Sequence, residues 1–513
     1  MHTTVDVLVV GAGPGGLATA LSAARHGARV LVVERRPGTS THPRATGINL
    51  RTMEIFRTWG IARAVQARAI RVDPDSVTAA TLVAPPRSVG RTGGYPSVRE
   101  ILDVSPALPM ACPQDVVEPI LADAVRQQGG EIRFDAGLAA LDVHPGGVHA
   151  TLATGERVAA RFVVGADGTR STVRTALGIG LRHLGTWAEA VSVLFRPDLA
   201  RWLPDGLPRP LTLVDTPQPA AFTPMGDGRW VYFPLRFDGG RPDIPAEGWT
   251  ATLRAATGLP HLEPEILDVQ RVTLAAEVAT SYRAGPGFLV GDAAHRTTPV
   301  GGVGLNAAVR DGHELGWKLA WVVRGLAGDA LLDSHDAERG PAGLAVAARS
   351  LDIEGRPEDG LPTVLGDTLR SAVIADNDLA PDSAPPATRT DLAARPGERA
   401  PHAWVRHDGR QRSTLDLFDG RLTLVTGPAG AAWARAGAAI TGVPLQVLVA
   451  GRELDSRALT RVYRLGPGSA VLVRPDGRVA WRHDGTCAHH GAELSGAVAT
   501  ALGRISVPDT LAG

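Results

Sequence analysis

The 513-residue chain contains a single lysine, Lys318, and only two cysteines, Cys112 and Cys487. Two thiols so far apart form neither a disulfide framework nor a metal cluster, so a reducing cytoplasm is the expected location. The pair His489-His490 has no further ligands at zinc spacing, and no metal is expected. Excess charge is also missing. The 53 basic residues balance 53 acidic ones, which leaves no electrostatic footing for nucleic acid or an anionic membrane as partner. No uninterrupted apolar run approaches the roughly 18 residues that a membrane-spanning helix needs. The short apolar stretch 7–10 lies between Asp6 and Gly11 without a basic start, so it reads as a strand rather than as a signal peptide. The rest is ordinary for a soluble globular chain, with 44 % hydrophobic and 21 % charged residues, and its length suits two or three domains.

Hydrophobic periodicity orders the chain. A strand over 6–10, a glycine turn, a helix over 16–26 and a strand over 29–34 make one βαβ unit. Helices are predicted over 49–59 and 113–128, the second with Val116, Ile120, Leu121, Ala124 and Val125 at helical spacing. Strands follow over 131–134, 148–152 and 162–164. From about 181 to 274 the pattern changes to short alternating runs between Pro- and Gly-rich turns, which predicts a mostly antiparallel sheet. A strand over 288–290 and a long helix over 305–324 return to the first pattern. The segment with Pro381, Pro385, Pro386 and Pro396 reads as a helix followed by a linker. Strand and helix signals resume over 399–502. The expected class is α/β, with an α+β middle domain. The divisions are a Rossmann-like dinucleotide domain in two parts, 1–180 and 276–350, an antiparallel-sheet substrate domain over 181–275, a helix and linker over 351–398, a C-terminal α/β domain over 399–502, and a tail over 503–513.

Gly11, Gly13 and Gly16 form G-x-G-x-x-G directly after an apolar strand. Gly11 permits the tight turn, Gly13 lets backbone approach a pyrophosphate, and Gly16 lets the helix pack close to the strand. The helix start offers free N–H groups and the positive end of its dipole. Glu34 ends the next strand 23 residues after Gly11, where a carboxylate bonds a ribose hydroxyl and repels a 2′-phosphate. Two further strands end in Gly-Asp turns, Gly165-Ala166-Asp167-Gly168 and Gly291-Asp292-Ala293-Ala294-His295. After the second comes Pro299-Val300-Gly301-Gly302-Val303-Gly304-Leu305-Asn306, a glycine-rich entry to the long helix that offers N–H groups to a partly negative ring. One turn at each end of a long cofactor points to FAD rather than NAD.

These motifs carry a resemblance. Together with His42-Pro43-Arg44-Ala45, Gln114, Glu118, Arg174, the helix from Asp311 to Ala320, Glu338-Arg339 and the tail Val473-Arg474-Pro475-Asp476-Gly477-Arg478, the chain resembles a group A FAD-dependent aromatic monooxygenase of the para-hydroxybenzoate hydroxylase type. Within that group it is similar to the aromatic polyketide hydroxylases of actinomycete antibiotic pathways, which are related to rifampicin monooxygenase. The resemblance implies a thioredoxin-like fold for the C-terminal domain. It implies that Gly11, Gly13, Pro14, Gly16, Glu34 and Arg35 hold the ADP half of FAD, that Arg44 lies over the pyrophosphate and flavin edge, and that Gln114 and Asp292 reach the ribityl chain. Asp167 would lie along the flavin's route. Pro299, Gly302, Gly304, Leu305 and Asn306 would line the isoalloxazine. NADPH or NADH would act as transient hydride donor, and a flavin C4a-hydroperoxide would deliver oxygen to an electron-rich ring. No side chain is named as catalytic beyond the loop candidates Arg44 and Pro299.

The chain also departs from the family pattern. Arg296-Thr297-Thr298-Pro299-Val300 replaces a stretch that commonly holds Gln and Pro-Pro. His335 stands where Tyr is common and is expected on an outer helix. The C-terminal domain has no Cys-x-x-Cys, which excludes thioredoxin-type redox chemistry there. Phe222, Met225, Trp230 and Tyr232 are candidate walls of an apolar substrate cleft, with core packing as the alternative. Arg209 and Arg236 are either anchors for an acidic substrate or solvated arginines. His295 reads as a structural hydrogen-bonding group ahead of a proton-transfer group. Baeyer–Villiger or ring-opening oxygenation, and a non-catalytic flavin-fold binding protein, remain alternatives, as do a monomer and a homodimer.

Overall fold

The computed structural model describes residues 2–91, 97–196, 199–203, 206–215, 219–234, 248–351, 365, 368–375, 393–418, 420–454, 456–485 and 487–504. Strand β1 (His2–Val10), helix α1 (Pro14–Arg25) and strand β2 (Val30–Val33) form the expected βαβ unit. β1 pairs in parallel with β2 on one side and with Arg157–Gly165 on the other. Gly287–Leu289 and Glu131–Arg133 extend the parallel sheet outward. The strand segments 7–10, 30–33, 162–165 and 287–289 are apolar because both faces are covered there. Val7, Val9, Val30, Val32, Phe162 and Val164 share one buried cluster. Their alternating neighbours Leu8, Val10, Leu31, Val33 and Val163 share another.

On the first face lies the long helix Gly304–Val323, packed along α1. The approach is close. A Cβ on Gly312 would stand 2.5 Å from the Thr19 nitrogen, and one on Gly316 would stand 2.6 Å from the Thr19 oxygen. These two glycines therefore let the backbones meet, and the two helix starts open side by side at the C-terminal edge of the sheet, where open α/β sheets bind ligands.

The second sheet has eight strands in the order His295–Arg296, Glu265–Ala279, Leu181–Arg196, Arg229–Pro234, Ala220–Gly226, Thr212–Val214, Asp75–Ala79 and Pro86–Arg91. It is antiparallel except where Thr212–Val214 meets Asp75–Ala79. Its last two strands come from well before residue 181, a long-range pairing that the local pattern does not announce. One face packs on the helix Trp249–Thr257 through Val191, Val193, Phe195, Leu253 and Trp249. The other carries Leu194, Met225 and Val231, with Phe233 and Leu267 half-buried beside them.

The C-terminal unit has a four-stranded sheet in the order Leu445–Val449, Leu422–Thr426, Ala470–Val473, Val479–His483. The first pair is parallel and the others antiparallel. With helices Ala431–Ala438, Ser456–Tyr463 and His490–Ala501, this is a thioredoxin-like arrangement. It docks on the dinucleotide unit through buried polar contacts. Arg399 Nε donates to Glu54 Oε2 (2.9 Å), and Trp317 Nε1 donates to Asp476 Oδ2 (3.1 Å). Most of the helix-and-linker stretch falls at 352–364, 366–367 and 376–392, and the tail beyond 504, outside the described residues.

Candidate active site

β1 ends at Val10, and the chain reverses at Gly11 with φ +108°. A Cβ there would lie 2.3 Å from the Ala166 oxygen, and one on Gly16 would lie 2.0 Å from the Gly11 oxygen. Gly13 is different: a Cβ built on it meets nothing within 4 Å. No side chain caps the first turn of α1, which begins at Pro14. Open space in front of uncapped N–H groups and a positive helix end is a cradle for a pyrophosphate. Glu34 closes one side of it. It is buried and accepts from the N–H of Ala12 (2.9 Å) and from Arg36 Nε (3.0 Å). Burial works against its charge, but the bonds from Arg36 and Ala12 win, and its pKa lies below the ordinary carboxylate value. Arg35 is exposed beside it.

The two Gly-Asp turns abut this cradle and each other. Val290 N–H donates to the Gly165 oxygen (3.0 Å). Arg174 bridges them, donating to the Ala293 oxygen (3.0 Å) and the Thr169 oxygen (2.8 Å). The two aspartates differ in use. The Asp167 carboxylate accepts from the Ser171 hydroxyl and from the N–H groups of Thr172 (2.7 Å) and Val173 (3.1 Å), so it caps the helix Thr172–Ala176. Asp292 is exposed on a turn that begins at Gly291 with φ +58°. The Gly291 N–H donates to Asp311 Oδ2 (2.9 Å), His295 Nε2 lies 2.7 Å from the same oxygen, and Arg339 Nε donates to Oδ1 (2.8 Å). Burial opposes the Asp311 charge, yet His295 and Arg339 hold its carboxyl well below the usual range. His295 thus serves the turn structurally. His335 does not lie on an outer surface. It is fully buried, with Nε2 3.0 Å from the Leu289 oxygen, because the helix Ala330–Arg349 packs under the strand that leads into Gly291.

The loop before the long helix completes the ring end of the cradle. Gly301 and Gly302 have φ of +76° and +60°, and nothing stands within 4 Å of a Cβ on Gly302. The helix Gly304–Val323 has no side-chain cap on its first turn. Pro299 is exposed, and Leu305 is buried. Asn306 is a clamp. Its Oδ1 accepts from the Asn49 N–H (2.9 Å), and its Nδ2 donates to the Gly47 and Gly302 oxygens (2.8 Å each). The loop 40–46 lies alongside. Gln114 N–H donates to the Ala45 oxygen (2.8 Å), while its side-chain Nε2 donates to Glu118 Oε1 (2.7 Å), whose other oxygen accepts from the Ser40 N–H (2.6 Å). Burial raises the Glu118 pKa. Arg44 points into solvent. His42 reaches across to the second sheet, with Nδ1 2.8 Å from Asp268 Oδ2 and Nε2 3.4 Å from the Ser192 hydroxyl.

Two open glycine positions, two uncapped helix starts and acids at strand ends gather at the C-terminal edge of the parallel sheet, which fits FAD. Residues 4–350 match the family described as FAD binding domain, and residues 393–504 match the family described as Aromatic-ring hydroxylase, C-terminal. The chain belongs to the FAD-dependent aromatic-ring hydroxylases. It is 39 % identical to aklavinone 12-hydroxylase of Streptomyces purpurascens, over 98 % of this chain and 99 % of that one. It is 36 % identical to the tetracenomycin B2 monooxygenase-dioxygenase of Streptomyces olivaceus, over 98 % and 99 %. A crystal structure of a ternary complex of aklavinone-11 hydroxylase with FAD and aklavinone superposes with a TM-score of 0.89, at 37 % identity and with 98 % and 99 % covered. The protein is therefore an FAD-dependent aromatic monooxygenase of the class A flavoprotein type, and FAD is its cofactor.

In this hydroxylase the four substrate-wall candidates of the middle sheet divide between its two faces. Phe222, Trp230 and Tyr232 are at most 2 % exposed and pack with Val193, Phe195 and Trp249. Strand pairing sets Tyr232 beside Val193 and Val231 beside Leu194. Leu194 lies two residues from Ser192, so it shares the face that meets His42. Met225 and Val231 cluster with Leu194 on that side, and Phe222, Trp230 and Tyr232 do not. Arg209 is paired with Asp73 (2.6 Å). Arg236 lies outside the described residues. Sequence reasoning missed Asp311, Asp268 and Arg339 as groups that hold the site. Asp311 and Arg339 stand in segments that carry the family resemblance but were given no role, and each of the three acts through a partner distant in sequence. Among the described residues, no helix is long and apolar enough to cross a membrane.

Proposed function

We propose that the chain hydroxylates a polycyclic aromatic polyketide, with NADPH or NADH as hydride donor. The observation that carries this reading is the apolar sheet face of Leu194, Met225, Val231 and Phe233, which lies on the same side as the His42 contact to Ser192. An apolar wall of this kind suits an aromatic, fused-ring substrate. The near full-length similarity to proteins named for such substrates supports it.

When bound, FAD supplies the redox chemistry, accepting a hydride and activating dioxygen. The chain's own residues place and shield it. Gly11, Gly13, Pro14 and Gly16 would hold the pyrophosphate at the start of α1, with Arg35 at the rim, and Glu34 would bond the ribose. The exposed Asp292 carboxylate would serve the ribityl hydroxyls, and Gln114 steadies the loop that carries Arg44. Asp167 acts one step back, fixing the turn that supports Gly11. The uncapped N–H groups at Gly304, Leu305 and Asn306 would offer a preorganised field that favours negative charge on the ring, and Pro299 and Gly302, the latter donating its own N–H to the Pro299 oxygen, shape the loop before them. The apolar sheet face excludes water from the reacting ring. The groove is assembled within one chain, so either a monomer or a homodimer serves.

The test is product analysis with purified protein, FAD, NADPH or NADH, labelled dioxygen and a panel of polycyclic phenols and quinones. One labelled atom in a new phenolic hydroxyl is expected, with cofactor oxidation accelerated by the same substrate. Label in a ring-inserted lactone overturns the hydroxylation reading. Indifference of cofactor oxidation to every fused-ring compound overturns the substrate class.

A further inference from the structure

Residues 474–478 of the C-terminal unit enter the dinucleotide unit as a row of buried charges. Four carboxylates, Asp311, Glu314, Glu338 and Asp476, face four cations, Lys318, Arg339, Arg474 and Arg478, and none of the eight is more than 2 % exposed. Arg474 Nη1 and Nη2 donate to Glu338 Oε1 (2.6 Å) and Oε2 (3.0 Å). Glu338 also takes Lys318 Nζ (2.7 Å). Asp476 accepts from Arg474 and from the Trp317 indole. Arg478 Nη2 donates to Glu314 Oε1 (3.1 Å), and Glu314 Oε2 lies 3.5 Å from Arg339 Nη1. Arg339 then reaches Asp311, and Asp311 holds the Gly291 N–H and His295.

None of these groups belongs to the cofactor groove itself. As plain stabilisation the arrangement is a weak choice, since apolar packing of similar volume stabilises as well or better. Its particular property is that each member fixes the rotamer of the next. Both oxygens of Asp311 are committed, one to the Gly291 turn and one to Arg339, so a rotation of Arg339 displaces the turn. The far end of Arg339 makes an ion pair with Glu314 at 3.5 Å, and Glu314 in turn accepts a hydrogen bond from Arg478.

We propose that residues 474–478 are a positioning device for the cofactor. Arg478, Glu314, Arg339 and Asp311 set the Gly291 turn, so FAD binding and docking of the C-terminal unit are energetically coupled. The proposal rests on FAD being held by the turn that carries Asp292. Coupling of this kind is reciprocal: FAD must tighten the 474–478 loop as much as the loop tightens FAD.

Two measurements on the full chain test it. Amide hydrogen exchange is compared in apoprotein and FAD-loaded wild type. FAD is expected to slow exchange at residues 474–479 as well as at 11–16 and 291–306. Protection confined to the last two segments overturns the coupling. Protection of none of the three overturns the cofactor assignment, and the coupling with it. In the second measurement, the charge-balanced double variant Arg478→Met with Glu314→Gln is titrated with FAD. Its Kd is expected to rise by roughly 5- to 100-fold, the usual span of such couplings, and Arg478→Lys is expected to retain part of the affinity. A double variant whose apoprotein melts lower but whose FAD Kd is unchanged shows a merely structural network and overturns the proposal. If that variant does not fold, the exchange comparison on the wild type decides.

Discussion

Asn306 offers the sharpest test of how the ring end of the groove is held. It is 1 % exposed and makes three bonds, one accepted from the Asn49 N–H and two donated to the Gly47 and Gly302 oxygens. Replacement by alanine removes all three. Gly47 and Gly302 are exposed, so water replaces the donors to their carbonyls at little cost. Asn49 is buried, and its N–H is left without an acceptor at a cost of about 1–3 kcal/mol. If that cost falls on ordering the loop around FAD, an effect of about 2 kcal/mol weakens binding roughly 30-fold. Asn306→Asp separates the contributions. The aspartate keeps an oxygen for Asn49 but sets its other oxygen against two carbonyl oxygens at the former donor distance, so lone pairs meet lone pairs where bonds stood. The order of FAD affinity is therefore wild type, then Asn306→Ala, then Asn306→Asp, although aspartate is the closer match in shape. Titration of apoprotein by quenching of flavin fluorescence reads this order directly. An Asn306→Asp protein that binds FAD as tightly as the wild type would refute the assigned geometry.

Further outcomes follow from the same structure. Gly13→Val places its side chain in open space, so the apoprotein should keep its unfolding temperature and lose FAD. Gly16→Val collides with the Gly11 oxygen and should lower the yield of folded protein. Parallel melting curves and FAD titrations distinguish the two. Met225→Ala and Val231→Ala should raise KM for a fused-ring substrate in addition to the stability that truncating a buried side chain costs. Trp230→Leu, on the opposite face, should cost about 2–4 kcal/mol of stability, as truncations of large core side chains do, with a smaller change in KM; the reverse pattern in steady-state kinetics would mean that the substrate wall is misassigned. Burial lowers the pKa of His313 to about 3, and those of His335 and His402 to about 4. The folded protein keeps these rings neutral while the unfolded chain protonates them near their ordinary value. Stability is therefore full above about pH 6.5 and falls as the pH drops toward 4, by roughly 2 kcal/mol for each ring at pH 5. Denaturant midpoints that coincide at pH 7.5 and pH 5 would contradict this.

The frame of the candidate cofactor site was legible because its signals are local. A βαβ unit writes its strand, turn and helix in consecutive residues, and each Gly-Asp turn follows its own strand. The middle sheet was legible as a sheet but not as a surface. Alternation along a strand separates Tyr232 from Val231, yet it does not say which of them looks toward the cofactor. That depends on His42 meeting Ser192 across 150 residues of sequence. The strands Asp75–Ala79 and Pro86–Arg91 join the same sheet for a reason equally absent from their own neighbourhood. The polar residues of the long helix were legible as a pattern but not as a buried network. Asp311, Glu314 and Lys318 are buried because their partners arrive from Glu338, Arg339 and Arg478. His335 was expected on an outer helix, and packing puts it inside.

The lone lysine has a consequence for what the exterior of this protein can react with. Lys318 is sealed in the interior between Ser334 and Glu338, so the outer surface draws its positive charge from arginine. Guanidinium stays protonated at working pH and is a poor nucleophile, unlike an amine that sheds its proton. Of the two thiols, Cys112 is buried and its pKa is pushed up to about 12, which leaves the half-covered Cys487 as the one accessible thiol. Quinones of the proposed substrate class readily alkylate amines and thiols, and this protein shows them almost none of either.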